Sequence, residues 1–457
     1  MKKYTLFIAM MCMGIVAYAQ EKIYSIVTCP AEDPSQSMNI SWAAEEEGSY
    51  VLYAPVNDKN WKKASKAIPQ ESICTTYDSI YSKTPDGKNI YERVRFLKCN
   101  ATINHLRPST EYKYVIMING KNQSEEYHFK TAGKDKWSAY VISDFHVYTP
   151  LPNRLKAAMG MMDRLHEYDP KAEWVLHLGD VTAWGGSYSF WKTMYEEDYF
   201  KKYMWAGVNG NHDNMTRVNG QSHTFFRDAN FYPRNGYAGQ EGVCYHFTYG
   251  GVLFIMLNNE AMHKIEGQEA AKAWVEKVVK ENPARYVVVC EHYQWFMGAN
   301  GKASHYARWS ELFDKLGVDL ALAGNNHIYV RTAPVYAGKE TDGTKGTVYL
   351  QTPSSDNERG VVCPPEFSHN TDIIKYRWAE GGQTVGGLHM DVNKKRMEIK
   401  LLDRNGNVLD TAIILAKKKW LYSTRKFTVL VKNAARPFRG EPRFMGVERI
   451  IKVLLWI

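Results

Sequence analysis

The hydrophobic pattern divides the chain into two parts that differ in the secondary structure it predicts. Between residues 22 and 131, short segments rich in β-branched and aromatic residues are separated by Gly, Asn, Asp and Pro. This pattern is typical of short strands joined by turns. The segments are residues 38–42, 50–54, 93–97, 112–118 and 127–131. We therefore expect the first part of the chain to be a β-sandwich of about a hundred residues.

From Trp137 onward, apolar runs of strand length alternate with helical patterns, which predicts a layered α/β domain with buried strands. The runs are residues 139–143, 174–178, 203–208, 252–257, 286–290 and 320–323. The helical patterns lie at residues 153–167, 268–281 and 303–316. Strand patterns return after residue 346, at residues 387–392, 396–402 and 412–415, and we expect them to complete the same domain.

The first 19 residues have the features of a secretory signal peptide. Lys2 and Lys3 precede an apolar run that ends at Ala17-Tyr18-Ala19. The run is shorter than the ~20 residues that a membrane span needs, so we expect export to the periplasm or the medium, without a transmembrane span after cleavage. Export permits disulfides, but the pairing of the six remaining cysteines cannot be read from the sequence. They are Cys29, Cys74, Cys99, Cys244, Cys290 and Cys363.

The basic charge of the chain is concentrated at its ends. The formal net charge is +9, but the leader carries two lysines and residues 420–457 carry eight Lys or Arg and two Glu. The central part is therefore close to neutral, and no nucleic-acid-binding face is indicated. We expect residues 417–457 to be a basic tail without a catalytic role. The content of 44% hydrophobic and 23% charged residues is ordinary for a soluble globular protein.

Polar residues that can bind metals follow five of the predicted buried strands. Ligands in layered α/β folds collect at the carboxyl ends of strands, so these side chains are expected to converge. Carboxylates, imidazoles and amide oxygens together suit a two-metal hydrolytic centre. One such residue alone is more often structural, but five segments in one domain predict a shared site. The residues are Asp144, His146, Asp180, Asn211, His212, Asp213, His292, Asn325 and His327.

The motif order D-x-H, G-D, G-N-H-D, H and G-x-x-H resembles the calcineurin-like metallophosphoesterase superfamily. The L-x-P-x-T-x-Y-x-Y signature at residues 106–114 resembles fibronectin type III-like domains, which favours the purple acid phosphatase-like branch. The resemblance implies an N-terminal all-β sandwich (fibronectin III-like) at residues 20–131. A four-layer α/β/β/α metallophosphoesterase domain would follow at residues 137–416. It also implies a phosphoric ester hydrolase that acts on small phosphate esters.

The resemblance also implies a role for each candidate residue around two metal ions of Fe, Mn or Zn type. The first ion would be bound by Asp144, His146 and His327, the second by Asn211, His292 and Asn325, with Asp180 bridging both. A metal-activated hydroxide would attack phosphorus. His212 would act as the general acid and Asp213 would orient it, while His305 and Arg331 would contact the substrate.

Two positions depart from the family pattern. Asn325 stands where the last motif usually has a histidine ligand. An amide oxygen is a harder and weaker donor than imidazole, so the second site would bind its ion loosely or prefer Mn²⁺, Ca²⁺ or Mg²⁺ over Zn²⁺. Ala183 stands where purple acid phosphatases have a tyrosine ligand, which implies that the purple charge-transfer colour is absent.

Three functions fit these residues. A secreted phosphomonoesterase is favoured by the branch that the chain resembles. A phosphodiesterase or nucleotide hydrolase would use the same metals, and the sequence does not give the pocket shape that separates the two. The third is a catalytically weakened binding or adhesion protein, in which Asn325 has cost the second metal. The oligomeric state stays open.

Overall fold

A computed structural model describes residues 22–122, 124–214, 225–296, 305–355, 373–379 and 384–417. The predicted signal peptide, Cys363 and the tail after residue 417 lie outside these residues. The strands are β1 (Ile23–Pro30), β2 (Met38–Ala44), β3 (Ser49–Pro55), β4 (Ser65–Ala67), β5 (Gln70–Lys83), β6 (Asn89–Ile103), β7 (Glu111–Ile118), β8 (Lys121–Asn122), β9 (Tyr127–Lys130), β10 (Trp137–Ile142), β11 (Trp174–His177), β12 (Met204–Gly207), β13 (Tyr245–Tyr249), β14 (Val252–Met256), β15 (Tyr286–Cys290), β16 (Leu320–Ala323), β17 (Tyr329–Tyr336), β18 (Lys339–Glu340), β19 (Thr347–Gln351), β20 (Ile374–Trp378), β21 (Gly386–Val392), β22 (Arg396–Asp403) and β23 (Val408–Leu415). The helices are α1 (Asn153–Tyr168), α2 (Tyr188–Glu196), α3 (Tyr199–Lys202), α4 (Asn211–Asn214), α5 (Phe225–Ala229), α6 (Ile265–Glu281), α7 (His305–Leu316) and a 3₁₀ helix, Asn259–Met262.

The N-terminal domain is all-β, as predicted. Strands β1, β2, β6 and β5 are neighbours in one sheet, while β3, β4, β7, β8 and β9 form another. The tyrosine of the 106–114 signature packs where the chain turns into β7. Tyr112 is 5% exposed, and its hydroxyl accepts a hydrogen bond from the backbone N–H of Arg107 at 3.0 Å. This contact fixes the turn against the strand, as a tyrosine corner does.

The second domain stacks two sheets between outer helices, which confirms the predicted α/β/β/α class. One layer contains the parallel strands β10, β11 and β12 together with the antiparallel strands β21 to β23, and the other contains β13 to β20. Every residue of β14 is buried, because Phe254 faces the first sheet, packing 5.0 Å from Trp174, while Leu253 and Ile255 join the core under α6 and α7. Burial on both faces explains why these strands read as continuous apolar runs.

The two domains share one sheet. Strand β1 pairs in parallel with β12, with Thr28 opposite Met204, so ten strands run in one hydrogen-bonded order from β23 to β5. Side chains reinforce the junction: the Tyr114 hydroxyl donates to the carbonyl of Lys201 at 2.9 Å, and the buried Lys98 donates to the carbonyl of Ala229 at 3.2 Å. The N-terminal domain is therefore built onto the edge of the first sheet of the second domain.

The cysteines of the described part of the chain are buried free thiols: Cys29, Cys74, Cys99, Cys244 and Cys290. Within those same residues, no helix combines the length and the apolar character needed to cross a membrane.

Lys417 anchors the end of the second domain. Its ammonium lies 3.1 Å from the carboxylate of Asp319, which is fully buried, and donates to the carbonyls of Val318 and Gly346. Removing one partner of a buried ion pair leaves an uncompensated charge, so we expect Lys417→Met to lower the free energy of unfolding by about 3–5 kcal/mol. Urea denaturation would measure it.

The matched control for this substitution is Lys394→Met, which removes an exposed ion pair to Asp135 at 2.9 Å. It should cost less than about 1 kcal/mol. Equal losses for the two variants would contradict an anchoring role for Lys417.

Candidate metal centre

The metal-competent residues meet at the carboxyl ends of the parallel strands. Their ligand atoms form three overlapping groups, within each of which all atoms lie within 4.8 Å of one another. The groups are Asp144 with His146 and His327, His146 with Asp180 and His212, and Asp144 with Asp180 and His292. The convergence that the strand order predicts is therefore present in the fold.

Asp180 lies at the middle of this cluster. Its Oδ2 is 3.2 Å from Nε2 of His146 and 3.2 Å from Nε2 of His292. Its Oδ1 accepts a hydrogen bond from the backbone N–H of His212 at 2.8 Å. Burial alone would raise the pKa of Asp180, but the charges and hydrogen bonds of the surrounding imidazoles hold it well below the usual range. One carboxylate oxygen thus faces both halves of the site.

Asp144 presents a buried oxygen toward the histidines of the first group. Its Oδ1 is 3.5 Å from Nε2 of His327 and 4.0 Å from Nε2 of His146, and finds no hydrogen-bond donor among the described residues. Its Oδ2 is held by Ser143 and by the backbone N–H of Asn325. Burial would raise the pKa of Asp144, but the nearby His327 imidazole outweighs the effect of burial and lowers the pKa to about 2. A buried, anionic oxygen without a donor suits a cation.

His292 is held so that one nitrogen is directed to the centre. Its Nδ1 is 2.7 Å from the carbonyl of Leu178, and its Nε2 is 3.1 Å from Oδ1 of Asn211. Burial would lower the pKa of this imidazole, but the negative charge of Asp180 raises it to about 10. Metal binding displaces such protons, and a carbonyl on the second nitrogen is the usual support of a metal-binding histidine. The donor set therefore fits metal ions.

The backbone at the strand ends is unusual. Asp144, His146, Asp180, Asn325 and His327 all have positive φ values of 45 to 69°. Left-handed backbone costs a non-glycine residue roughly 1–2 kcal/mol, and such residues concentrate at functional sites. Close approach also requires glycine at position 210, where a Cβ atom would lie 2.2 Å from the Asp180 backbone nitrogen and Oδ1.

His212 lies beside the metal-binding candidates. Its Nδ1 is 2.9 Å from the carbonyl of Ala183, its ring packs 6.1 Å from Trp184, and its side chain keeps 12% exposure. Asp213 does not make the contact predicted for it. Its carboxylate accepts hydrogen bonds from the backbone N–H groups of Thr182 and Gly210, and burial raises its pKa to about 6. The carbonyl of Ala183 orients the imidazole instead, and Asp213 ties the two loops together.

Both domains match known sequence families. Residues 24–131 match the family described as Purple acid Phosphatase, N-terminal domain, and residues 138–329 match Calcineurin-like phosphoesterase. The chain carries a purple acid phosphatase N-terminal domain and a calcineurin-like phosphoesterase domain. The predicted resemblance is thereby confirmed, and the cluster at the strand ends, whose residues could hold metal ions, lies within the residues that match the phosphoesterase family.

Individual relatives are distant. Two uncharacterized proteins from strains of Mycobacterium tuberculosis are 28% identical over 178 residues, which is 35% of this chain and 34% of theirs. The chain thus spans about a third of the length of these curated relatives. The purple acid phosphatase of yellow lupin (Lupinus luteus) seeds aligns with a TM-score of 0.68 at 15% identity, over 87% of this chain and 75% of that one. A structure of PhoD aligns with a TM-score of 0.53 at 13% identity, over 87% and 90%. These likenesses concern the fold.

Arg331, one of the two predicted substrate contacts, forms an ion pair within the phosphoesterase domain. The guanidinium forms a bidentate ion pair with Asp410 of β23, with the second bond at 2.9 Å, and Tyr329 donates to the same carboxylate. The Nε and Nη2 donors are directed to Asp410, so Arg331 ties β17 to the last strand, and its contact with substrate stays a prediction.

His305, the other predicted substrate contact, opens α7 but is only 6% exposed. Its Nδ1 lies 2.8 Å from the carboxylate of Glu291, which is fully buried, and the ring packs on Tyr293. His305 is therefore neither a surface residue nor free at Nδ1. Substrate contact through its other nitrogen stays a prediction.

Two supporting amides of the phosphoesterase domain were not singled out by sequence reasoning. Asn259 accepts hydrogen bonds from the backbone N–H groups of His292 and Tyr293, at 2.8 and 2.9 Å. Gln294 accepts one from the side-chain amide of Asn325. Asn and Gln are too common for their type to mark such a role. The feature of the sequence that could have indicated a role for Gln294 is its position, two residues after the predicted ligand His292.

The colour of the iron-loaded protein tests the position of Ala183. Its side chain is a buried methyl group that cannot bind a metal, and only its carbonyl points to His212. We expect the absorption spectrum of the iron-reconstituted protein to lack a visible tyrosinate charge-transfer band. Ala183→Tyr is the matched variant, and a purple wild-type protein would contradict the prediction.

Proposed function

We propose that this protein is an exported, metal-dependent phosphoesterase that hydrolyses small phosphate monoesters. The observation that carries the proposal is the position of Asp180, whose single carboxylate oxygen lies 3.2 Å from imidazoles of both halves of the cluster. A shared carboxylate is what two neighbouring metal ions require. The phosphoesterase fold around it supports the same class of reaction.

We propose two ligand sets, which are those that the family resemblance implies. Asp144, His146 and His327 would bind one ion; Asn211, His292 and Asn325 would bind the other; and Asp180 would bridge them. When bound, the two ions supply positive charge for the phosphoryl oxygens and make a water molecule nucleophilic near neutral pH. The buried carboxylates stay ionised because the surrounding cationic groups lower their pKa.

His212 is proposed to protonate the leaving group. Because Nδ1 donates to the Ala183 carbonyl, Nε2 is the atom that can give its proton to the departing alkoxide. The backbone hydrogen bond from His212 to Asp180 keeps this imidazole beside the metal site. Trp184, packed on the same ring, would limit the positions that the leaving group can take.

The test uses the chain without residues 1–19, stripped of metal by a chelator. Each of Mn²⁺, Fe²⁺ and Zn²⁺ is restored in turn, and metal content is measured with turnover of an aryl phosphate monoester and the matching diester. We expect two ions per chain and a higher kcat/KM for the monoester. Preference for the diester would make the enzyme a phosphodiesterase. Two bound ions without hydrolysis of either ester would favour a binding protein.

Export is proposed from residues 1–19 alone. Recovery of the mature chain, beginning at residue 20, from the periplasm or medium of a bacterial host would support it, and retention of the intact leader in the cytoplasm would oppose it.

A further inference from the structure

The side chain of Asn325 is held by a neighbouring amide. Its Nδ2 donates to Oε1 of Gln294 at 2.5 Å, while its backbone N–H donates to Oδ2 of Asp144 at 3.2 Å. Gln294 is 6% exposed and Asn325 is half-buried, so the amide pair is partly shielded from water. The side chain and the backbone of Asn325 are therefore both held at the edge of the metal cluster.

The direction of the Asn325 amide decides whether the residue can bind a cation. The Oδ1 atom is an acceptor, whereas the NH₂ group carries two donors and would present hydrogens to a metal. Nothing within an asparagine side chain selects one orientation, because the two ends have nearly the same shape. A neighbour that accepts from the NH₂ group favours one orientation, and Oε1 of Gln294 is that acceptor in this structure.

We propose that Gln294 is a positioning residue that commits the NH₂ group of Asn325 and so keeps Oδ1 available as a ligand of the second metal ion. The inference rests on the function proposed above. Gln294 and His292 belong to the same loop after β15, so one segment supplies both an imidazole ligand and the support for an amide ligand.

This arrangement assigns a metal preference to the second site. A histidine at position 325 would offer a borderline-soft nitrogen, while an oriented amide offers a hard oxygen. Together with Oδ1 of Asn211, the second site would have two amide oxygens beside one imidazole and the shared carboxylate. That set favours Mn²⁺ or Mg²⁺ over Zn²⁺ more than a histidine-rich set does.

The test measures Mn²⁺ binding to the metal-free chain by titration calorimetry, which reports both sites without any enzyme assay. Gln294→Met keeps the shape but removes the acceptor, and we expect it to weaken the second site by about 10–100-fold while the first is unchanged. Gln294→Glu keeps an acceptor that cannot donate, so it should bind the second ion at least as tightly as the wild type. Gln268→Met is the control, because the Gln268 amide donates to the Met262 carbonyl and Gln268 lies outside the metal-binding groups.

A double-mutant cycle shows whether Gln294 acts through Asn325. In an Asn325→Ala background, Gln294→Met should cause no further loss of second-site affinity, because the amide it holds is gone. An equal loss in both backgrounds, a weak Gln294→Glu, or a Gln294→Met that binds like the wild type would each overturn the inference. Thermal unfolding and first-site affinity identify a variant that has merely misfolded.

Failure of the proposed function has a different signature. If the wild-type chain takes up fewer than two ions, both the function and this inference fall. If the wild type binds two ions and turns over an ester, but Gln294→Met leaves the second site intact, the inference alone is wrong.

Discussion

Replacing Asp180 with alanine is expected to abolish metal binding and ester hydrolysis together. The Oδ2 atom of Asp180 is 3.2 Å from Nε2 of both His146 and His292. Among the described residues, no other carboxylate lies this close to both imidazoles. Without it, the two imidazoles lose their shared carboxylate, and two metal ions would repel each other without a bridging anion. The expected result is less than one ion per chain by elemental analysis and no detectable turnover.

Asp180→Asn keeps the shape and removes only the charge, so it should also lose both properties. Asp169→Asn is the matched control, because Asp169 also accepts from a histidine, His389, at 2.8 Å, but lies outside the metal-binding groups. It should keep both ions. A fully loaded and active Asp180→Ala enzyme would remove Asp180 from its proposed place.

Replacing His212 with alanine should reduce kcat while leaving the metal content intact. His212 contributes its backbone N–H and a nearby imidazole to the Asp180 region, and the N–H survives the substitution. Loss of a general acid typically lowers turnover by about 10²–10⁴-fold. The loss should be largest for alkyl phosphates, whose leaving oxygen needs a proton, and smaller for aryl phosphates, which leave readily as anions.

The control for His212 is His246→Ala. His246 also packs against a tryptophan, Trp274, at a ring distance of 6.2 Å, but it lies on β13, away from the metal-binding groups. Its removal should change kcat little for either ester. A uniform loss on alkyl and aryl esters in His212→Ala, accompanied by lost metal, would show that His212 is a ligand and not an acid.

The layered domain could be predicted because its strands are buried on both faces. Residues 286–290 and 320–323 coincide with β15 and β16, since continuous apolar runs bounded by polar residues have one simple interpretation. The long β5–β6 hairpin was mostly missed, with only residues 93–97 predicted. Its strands carry many charged residues, such as Glu71, Asp78 and Arg93, so the hydrophobic period is weak.

The site shows the same division between local and long-range information. The metal-binding candidates follow strand ends, so residue type and order were enough to propose them. The partner of an ionic side chain could not be predicted in this way. Arg331 pairs with Asp410, 79 positions away, and no residue near Arg331 in the sequence indicates that partner. Likewise, His212 is oriented by the backbone carbonyl of residue 183, which any amino acid would provide.

The shared ten-stranded sheet sets a limit on how the chain can be divided. Strand β12 leads through Gly210 into Asn211, and its outer side is covered by β1 of the N-terminal domain. A truncated enzyme that begins near residue 137 would leave this strand open as an edge, and such edges recruit other chains and aggregate. We therefore expect the N-terminal domain to protect this strand from aggregation, and a soluble fragment of the second domain to require it.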